Sequence, residues 1–225
     1  MLEQILPPMV AHSELLDDPP GLEPFDEERA LIASSLGKRR REFVSARHCA
    51  RRAMVQLGWP EVAILRGERG SPIWPDGLVG SITHCDGYRA AALGHSAGFR
   101  SIGIDAEPDR PLPRGVLTTI SSDAERTALA AASMSGLHLD TVLFSAKETV
   151  YKTWFPLTGR WLGFDDAELV LSPDPANPTQ GTFHAQLLVP GQARDGGPDL
   201  TALGGHWVVV AGRIATAIAL PWAEQ

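Results

Sequence analysis

Two short segments carry side chains whose types and spacing could do chemistry together. Asp105 and Glu107 lie two residues apart in SIGIDAE, whose alternating apolar residues predict a strand. Because alternate side chains of a strand share a face, the two carboxylates would project together, about 7 Å apart at their Cα atoms. Carboxylate oxygens with room for water suit Mg²⁺. On these two residues alone a solvated strand end is the preferred interpretation, and a third carboxylate would reverse that preference.

Glu148 is the candidate for that third carboxylate. It lies in FSAKETVYK, within a helix predicted over 140–155, and Lys152 follows four residues later. A pair at this spacing is commonly an exposed salt bridge worth about 0.2 to 0.5 kcal/mol. Large apolar side chains on nearly every side predict that this helix is buried, so its ionised groups need partners. Mg²⁺ would satisfy Glu148, and a bound phosphate would satisfy Lys147 and Lys152.

A basic segment offers a second candidate site. Residues 38–52 hold seven of the twenty basic residues and a single acid, although the formal net charge of the chain is −7. Apolar residues recur there with a helical period, and a helical projection places Arg40, Arg47 and Arg51 together beside the apolar stripe. The segment indicates an anionic partner, and a solvated basic face or a nucleic-acid patch would have the same composition.

A predicted hairpin contributes two further polar side chains. Strands over 78–84 and 88–93 are joined by the turn sequence CDG. Thr83 and His84 end the first strand, where a hydroxyl and an imidazole can both face a ligand. The loop RGERGSPIWPDG, which contains Arg66, precedes this hairpin.

The order of the remaining elements predicts an α+β fold of two halves, residues 1–110 and 111–225. Residues 1–30, rich in proline and acid, are expected to lie on the surface as an arm. The other predicted elements are strands over 101–107, 181–189 and 207–220 and helices over 121–133 and 140–155.

Length and composition exclude several classes of protein. The 225 residues leave room for one large domain or two small ones, and 44% hydrophobic with 21% charged residues is typical of a folded globular chain. No run of 18 apolar residues and no basic leader is found, so we expect a cytoplasmic protein without a membrane partner. Two cysteines without metal-ligand spacing are expected to be reduced thiols.

The motifs in this order resemble one enzyme family. IGIDAE (102–107) and FSAKETVYK (144–152) resemble the signature motifs of the 4′-phosphopantetheinyl transferases of the Sfp/EntD type. The resemblance extends through RRREFVSARHCAR, the Arg66 loop, GSITHC and WFPLTGRWLGF, covering roughly residues 38–170. It is strongest to the actinobacterial members that activate polyketide, nonribosomal-peptide and fatty-acid synthases, and it implies a link to siderophore biosynthesis. The family's fold has two similar α/β halves with the active site between them.

The resemblance assigns nucleotide-binding roles. Such enzymes take the phosphopantetheine arm of coenzyme A, whose 3′-phosphate and pyrophosphate both need cations or donors. For the 3′-phosphate it implies Arg39 with Arg47, whereas the helical projection groups Arg40 with Arg47. The full coenzyme A-binding set that it implies is Arg39, Arg47, Arg66, Thr83, His84, Asp105, Lys147 and Lys152.

The resemblance also assigns the chemistry. Asp105, Glu107 and Glu148 would hold one Mg²⁺ on the pyrophosphate, and Lys152 and Lys147 would counter its remaining charge. Glu148, or a water it orients, would take the proton of the attacking serine hydroxyl. The products would be the modified carrier protein and adenosine 3′,5′-bisphosphate. A monomer acting on acyl and peptidyl carrier proteins, with neither cysteine as nucleophile, is expected.

Two alternatives explain parts of this pattern. A Mg²⁺-dependent phosphohydrolase would use the three carboxylates, but the arginines and the Thr83-His84 pair would have no role. A nucleic-acid-binding protein would be basic and would interleave aromatic residues with its arginines. This chain is acidic, and its basic helix has Phe43 as its one aromatic residue, so transfer is the preferred interpretation.

Overall fold

The computed structural model describes residues 1–132 and 136–222. Over these residues four α-helices accompany two antiparallel sheets, which confirms the predicted α+β class. The predicted helix end at 133 lies outside the described residues. The α-helices are Gly37–Gln56 (α1), Val116–Ile120 (α2), Asp123–Ala131 (α3) and Leu139–Thr158 (α4). The strands are Ala11–Leu15 (β1), Leu78–Cys85 (β2), Tyr88–His95 (β3), Phe99–Pro108 (β4), Ala167–Pro173 (β5), Gln180–Leu187 (β6), Ala202–Val210 (β7) and Arg213–Pro221 (β8).

The first sheet has the strand order β1-β3-β2, with α1 packed against it. The predicted hairpin forms its centre, and Gly87 takes the left-handed conformation of its tight turn (φ 68°). The N-terminal arm does not merely lie on the surface, because Ala11–Leu15 pairs with β3 and Leu2 and Ile5 are buried. Apolar side chains of the arm thus gain burial that a proline-rich surface segment would lack.

The second sheet has the order β4-β8-β7-β6-β5, and α4 packs across β4 and β8. The acidic strand β4 pairs with β8, so it lies in the sheet of the C-terminal strands, whereas the division at residue 110 counts it with the N-terminal half. Its neighbour across the junction is β2 of the first sheet. The division into halves therefore stays a prediction, and β4 is the element that joins the two sheets.

Gly103 lets α4 approach β4 closely. A Cβ atom at this position would collide with the Thr153 hydroxyl and with the backbone carbonyl of Thr149 on α4. Gly103 precedes Asp105 by two residues, so both lie on the strand face that α4 covers. The close approach brings the polar side chains of α4 to Asp105.

Two further predictions concern membrane-spanning helices and the two cysteines. None of the described helices has the length and apolar character needed to cross a bilayer. Cys49 and Cys85 are buried free thiols, and burial raises the pKa of each to about 12. Neither thiol is therefore a ready nucleophile at neutral pH.

Candidate active site

Asp105 lies where the two sheets meet, and three side chains bind its carboxylate. Oδ1 accepts hydrogen bonds from Lys152 Nζ at 2.7 Å and from Thr83 Oγ1 at 3.1 Å. Oδ2 accepts one from Ser145 Oγ at 2.9 Å. Strand alternation predicts that Asp105 faces away from the core, yet it is only 5% exposed because α4 covers this face. A buried carboxylate with this many donors is held in one orientation.

Glu107 and Glu148 are half-buried members of the same electrostatic cluster. Burial, and next the negative charge of Asp105, raises the pKa of Glu107 to about 7. The same two causes raise the pKa of Glu148. The Lys152 ammonium opposes both shifts. The three carboxylates singled out from the sequence therefore influence one another across the fold.

The donor set fits a hard divalent cation, although it is not arranged around one. Within residues 1–132 and 136–222, no three His, Cys, Asp or Glu side chains converge as metal ligands. Asp105 is instead turned to Lys152. Carboxylate oxygens are nevertheless the ligands that Mg²⁺ prefers. The pKa values of Glu107 and Glu148 are raised although Lys152 is nearby, so its single positive charge does not balance the negative charge of the three carboxylates. A cation bound there would stabilise the ionised carboxylates.

Lys147 points away from this cluster. Its ammonium pairs with Glu125 Oε1 at 2.9 Å and donates to the Phe164 and Ala167 carbonyls at 2.8 and 3.0 Å. Side chains five residues apart on an α-helix leave it about 140° apart, so Lys147 and Lys152 lie on different sides of α4. The structure contradicts the expectation that Lys147 counters substrate phosphate, because this lysine is buried in an ion pair of its own.

The Thr83 hydroxyl also makes its hydrogen bonds within the protein. It is 3% exposed, its hydroxyl donates to Asp105 Oδ1, and it accepts a hydrogen bond from the Ala106 amide at 3.2 Å. Lys152 Nζ lies 3.5 Å from the same oxygen. Direct contact between Thr83 and phosphate is therefore not supported, and Thr83 instead holds Asp105 and Lys152 together.

The other predicted nucleotide-binding residues meet in one pocket of about 190 Å³. Helix α1 contributes Arg39 and Arg47, the following loop contributes Arg66, and β2 contributes His84. Arg40 is exposed and does not line this pocket. The geometry thus groups Arg39 with Arg47, as the family resemblance implied, and corrects the helical projection.

Arg47 is a rigid wall of this pocket. Its Nε donates to the Ile64 carbonyl at 2.9 Å, and its guanidinium carbon lies 3.4 Å from the centre of the Phe43 ring. Burial lowers the pKa of Arg47 to about 10, with Glu28 opposing the shift, so the side chain stays cationic at neutral pH. Preorganisation of this kind reduces the entropic cost of binding an anion.

The basic face of α1 is partly a core face. Arg51 donates to Glu28 Oε1 at 2.8 Å, and both side chains are almost completely buried. Arg47 and Arg51 are therefore withdrawn from the surface. Helix α1 thus presents fewer cations to a nucleic-acid phosphate backbone than its sequence suggests, which argues against the nucleic-acid alternative.

His84 is an exposed residue near the end of β2, and it lines the same pocket as these arginines. Partial burial of the ring lowers its pKa, Glu42 opposes this shift, and Lys152 adds to it. The imidazole is therefore neutral at pH 7 and would act on an anion through its N–H group rather than through charge. Arg39 also disfavours the imidazolium form, consistent with their shared pocket.

A larger cavity of about 500 Å³ adjoins the arginine pocket. Both are lined by Gly70, Pro72 and Ile82, so one surface runs from the arginines to Glu148 and Lys152. The remaining walls of the larger cavity are rich in aromatic rings, contributed by Trp74, Tyr151 and Phe155. The junction therefore combines an anion pocket with an apolar chamber, and Glu148 is the member of the carboxylate cluster that lines the chamber.

Two arginines line this chamber outside the predicted site. Arg69 and Arg194 are exposed, and the guanidinium of Arg69 lies 5.3 Å from the ring of Trp161, which is 59% exposed. Arg160 packs over Trp154 and donates to the Pro190 carbonyl. The sequence offers no motif that singles out Arg194.

Three buried hydroxyl groups near Asp105 were also not identified from the sequence. Ser145 lies in the signature segment but attracted no role, and Thr149 follows one turn later on α4. Thr216 lies on β8, opposite Asp105 in the strand register. Hydroxyl residues are common and carry no spacing signal, so pairing of β4 with β8 is what reveals Thr216.

Two protein-family models match most of this site. Residues 27–94 match the family model described as the 4′-phosphopantetheinyl transferase N-terminal domain. Residues 101–192 match the model described as the 4′-phosphopantetheinyl transferase superfamily. The two matches include all three carboxylates and the arginine pocket.

Full-length relatives agree with the family models. The chain is 55% identical to a 4′-phosphopantetheinyl transferase of Nocardia iowensis, over 97% of this chain and 99% of the relative. It is 50% identical to one of Mycobacterium tuberculosis, over 98% of each. It is also 33% identical to enterobactin synthase component D of Salmonella typhi, over 61% of this chain and 57% of that protein.

Proposed function

Because the chain belongs to the 4′-phosphopantetheinyl transferase superfamily, we propose that it moves phosphopantetheine from coenzyme A to a serine of acyl or peptidyl carrier proteins. The released product is adenosine 3′,5′-bisphosphate. The observation that carries this proposal is the surface that runs from the arginine pocket, along the shared walls Gly70, Pro72 and Ile82, to Glu148 and Lys152 in the apolar chamber. Its three parts match the nucleotide, diphosphate and pantetheine of one extended substrate.

The arginine pocket suits the 3′-phosphate of the nucleotide. Arg39, Arg47 and Arg66 are cations from two separate elements, and guanidinium groups bind phosphate through paired donors. The neutral His84 ring adds a hydrogen-bond donor. The alternative phosphohydrolase would need the carboxylates but would leave this pocket without a ligand.

The diphosphate would lie between this pocket and α4. Asp105, Glu107 and Glu148 would hold Mg²⁺, which when bound neutralises the diphosphate and improves the nucleotide as a leaving group. Lys152 reaches the same place from α4, with its ammonium also 3.2 Å from the Ile104 carbonyl. It would bind a phosphate oxygen and stabilise the charge that develops as the bond breaks.

Glu148 is the proposed general base. Its carboxylate lines the chamber, and burial with the charge of Asp105 raises its pKa towards neutrality, where a base accepts protons more effectively. The carrier serine oxygen forms a bond to the β-phosphorus while the bond from that phosphorus to the bridging oxygen breaks. The serine proton passes to Glu148, and the electron pair leaves with the nucleotide.

The chamber would hold the pantetheine arm and admit the carrier protein. Trp74, Tyr151 and Phe155 offer apolar contacts along its walls. Arg69 and Arg194 add positive charge to an otherwise acidic chain, which favours an acidic partner surface through electrostatic complementarity. One chain supplies every side chain of this arrangement, so a monomer suffices.

Intact-mass spectrometry tests the proposal directly. An apo carrier protein incubated with the enzyme, Mg²⁺ and coenzyme A should gain the mass of one phosphopantetheine group. A carrier whose acceptor serine is replaced by alanine is the matched control and should gain nothing. Loss of the diphosphate bond without mass gain on any carrier would instead identify a hydrolase and overturn the proposal.

A further inference from the structure

Three buried hydroxyls form a chain behind Asp105, and the proposed mechanism uses none of them. Ser145 Oγ lies 2.9 Å from Asp105 Oδ2 and 2.9 Å from Thr216 Oγ1. Thr216 Oγ1 lies 2.6 Å from Thr149 Oγ1. All three hydroxyl residues are completely buried. Their polar groups must therefore find partners in one another, in the carboxylate or in the neighbouring backbone carbonyls of Ser145 and Thr216.

The carboxylate sets the direction of the hydrogen bonds in this chain. An ionised Asp105 only accepts, so the single hydroxyl proton of Ser145 points to it. Ser145 Oγ is then an acceptor, and Thr216 Oγ1 lies within donating distance of that oxygen, at 2.9 Å, and of the Ser145 carbonyl oxygen, at 3.0 Å. Thr149 is left to donate to Thr216. Hydroxyl dipoles aligned towards one charge strengthen each other in a low-dielectric interior.

The sheet places Thr216 for this role. It lies directly opposite Asp105 in the ladder of β4 and β8, so both side chains emerge on the face under α4. Ser145 and Thr149 are four residues apart on α4 and therefore share the helix face above them. The chain thus connects β8, through α4, to the rear oxygen of Asp105.

We propose that Thr216 is a positioning residue for the transfer reaction, acting through Ser145 to hold the carboxylate of Asp105 in one orientation. Because Ser145 binds Oδ2, Oδ1 stays directed at Thr83 and Lys152. This inference rests on the proposed function, although Thr216 itself touches neither substrate nor reacting atoms. A carboxylate free to rotate would present a different oxygen to Lys152 and to a bound cation.

Two substitutions at one position separate the hydroxyl from the packing. Thr216→Val keeps the shape and removes the hydroxyl, whereas Thr216→Ser keeps the hydroxyl and removes a methyl group. For Thr216→Val we expect kcat to fall about tenfold, the loss typical of an outer-shell partner, with the KM for carrier protein unchanged. The Mg²⁺ concentration that half-saturates thermal stabilisation in the presence of coenzyme A should rise by about the same factor. Thr216→Ser should behave like the wild type.

A matched control is Thr141→Val, which removes a buried threonine hydroxyl on α4, the helix that covers Asp105. That hydroxyl donates to the Arg110 carbonyl and lies outside the chain behind Asp105. Its substitution should leave the Mg²⁺ requirement unchanged. Equal losses in Thr216→Ser and Thr216→Val, or an unaltered Mg²⁺ requirement in Thr216→Val, would overturn the proposal. If the wild type transfers nothing, the proposed function fails, while the thermal measurement still decides whether Thr216 orients Asp105.

Discussion

Lys152 Nζ lies 2.7 Å from Asp105 Oδ1, so the proposed catalytic lysine and a proposed metal ligand are bound to each other. A phosphate oxygen that binds Lys152 competes with Asp105, and a cation that binds Asp105 competes with Lys152. Binding of either group therefore releases the partner that the other needs. We expect coenzyme A and Mg²⁺ to bind cooperatively at this site.

Removing the charge of Asp105 should abolish most transfer. Alanine would leave Thr83, Ser145 and Lys152 without their buried acceptor, so asparagine, which keeps the size and one carbonyl oxygen, is the better test. We expect Asp105→Asn to lower kcat/KM at least about 100-fold at saturating Mg²⁺. Circular dichroism should confirm that the variant is folded. Near-normal turnover would remove Asp105 from the mechanism.

Neighbouring arginines provide a matched test of the nucleotide pocket. Arg39→Ala should raise the KM for coenzyme A about tenfold or more, but the KM for 3′-dephospho-coenzyme A much less, because only the former carries the 3′-phosphate. Arg40→Ala, one residue along α1 and outside the pocket, should change neither. His84→Ala should show the Arg39 pattern more weakly. Equal effects on both nucleotides would place the 3′-phosphate elsewhere.

Glu148→Gln separates the base role from the ligand role. Glutamine keeps the shape and one oxygen but accepts no proton at neutral pH. If Glu148 is the base, kcat should fall by about 10² to 10⁴ while coenzyme A binding with Mg²⁺ stays within about tenfold of the wild type. Calorimetric titration and single-turnover kinetics measure the two quantities. A parallel loss of affinity and rate would mean that Glu148 is chiefly a metal ligand.

The raised pKa of Glu107 predicts a pH-dependent stability. In the folded protein the Glu107 carboxyl group has a pKa of about 7, whereas its ordinary value is 4.5. The contribution of its protonation to the free energy of unfolding is therefore fully present below pH 4.5 and is lost as the pH rises through 7. Without divalent cations, Glu107→Gln should therefore raise the melting temperature by about 2 to 4 °C near pH 8 and by little near pH 5. Mg²⁺ should stabilise the wild type more than this variant at the higher pH. The same offset at both pH values would contradict the assignment.

Charge reversal at the chamber tests the approach of the carrier protein. Arg194→Glu should raise the KM for an acidic carrier about fivefold to tenfold and leave the KM for coenzyme A unchanged, because charges at an interface rim act mainly on association. Arg114→Glu reverses an exposed arginine that lines neither cavity and serves as the control. Added salt should reduce the difference between wild type and Arg194→Glu. A salt-independent defect would indicate a packing effect instead.

Local patterns in the sequence were sufficient for many of the elements, although not for β1, α2 or β5. Alternation predicted β4 and the hairpin, the apolar period predicted α1 and α4, and strand alternation paired Asp105 with Glu107, to which the family resemblance added Glu148. These signals work because side-chain direction repeats within a single strand or helix. Ordered motifs then identified the family, which the comparisons confirmed.

Only the tertiary structure decided which neighbour each side chain meets. Periodicity places Lys147 and Lys152 on different sides of α4, but only packing shows that Glu125 takes the first and Asp105 the second. The choice of Arg39 over Arg40 depends on the loop of Arg66, and the role of Thr216 depends on its strand partner. Contacts between residues distant in sequence follow from burial of whole faces against each other, and no local pattern of residues encodes which faces will meet.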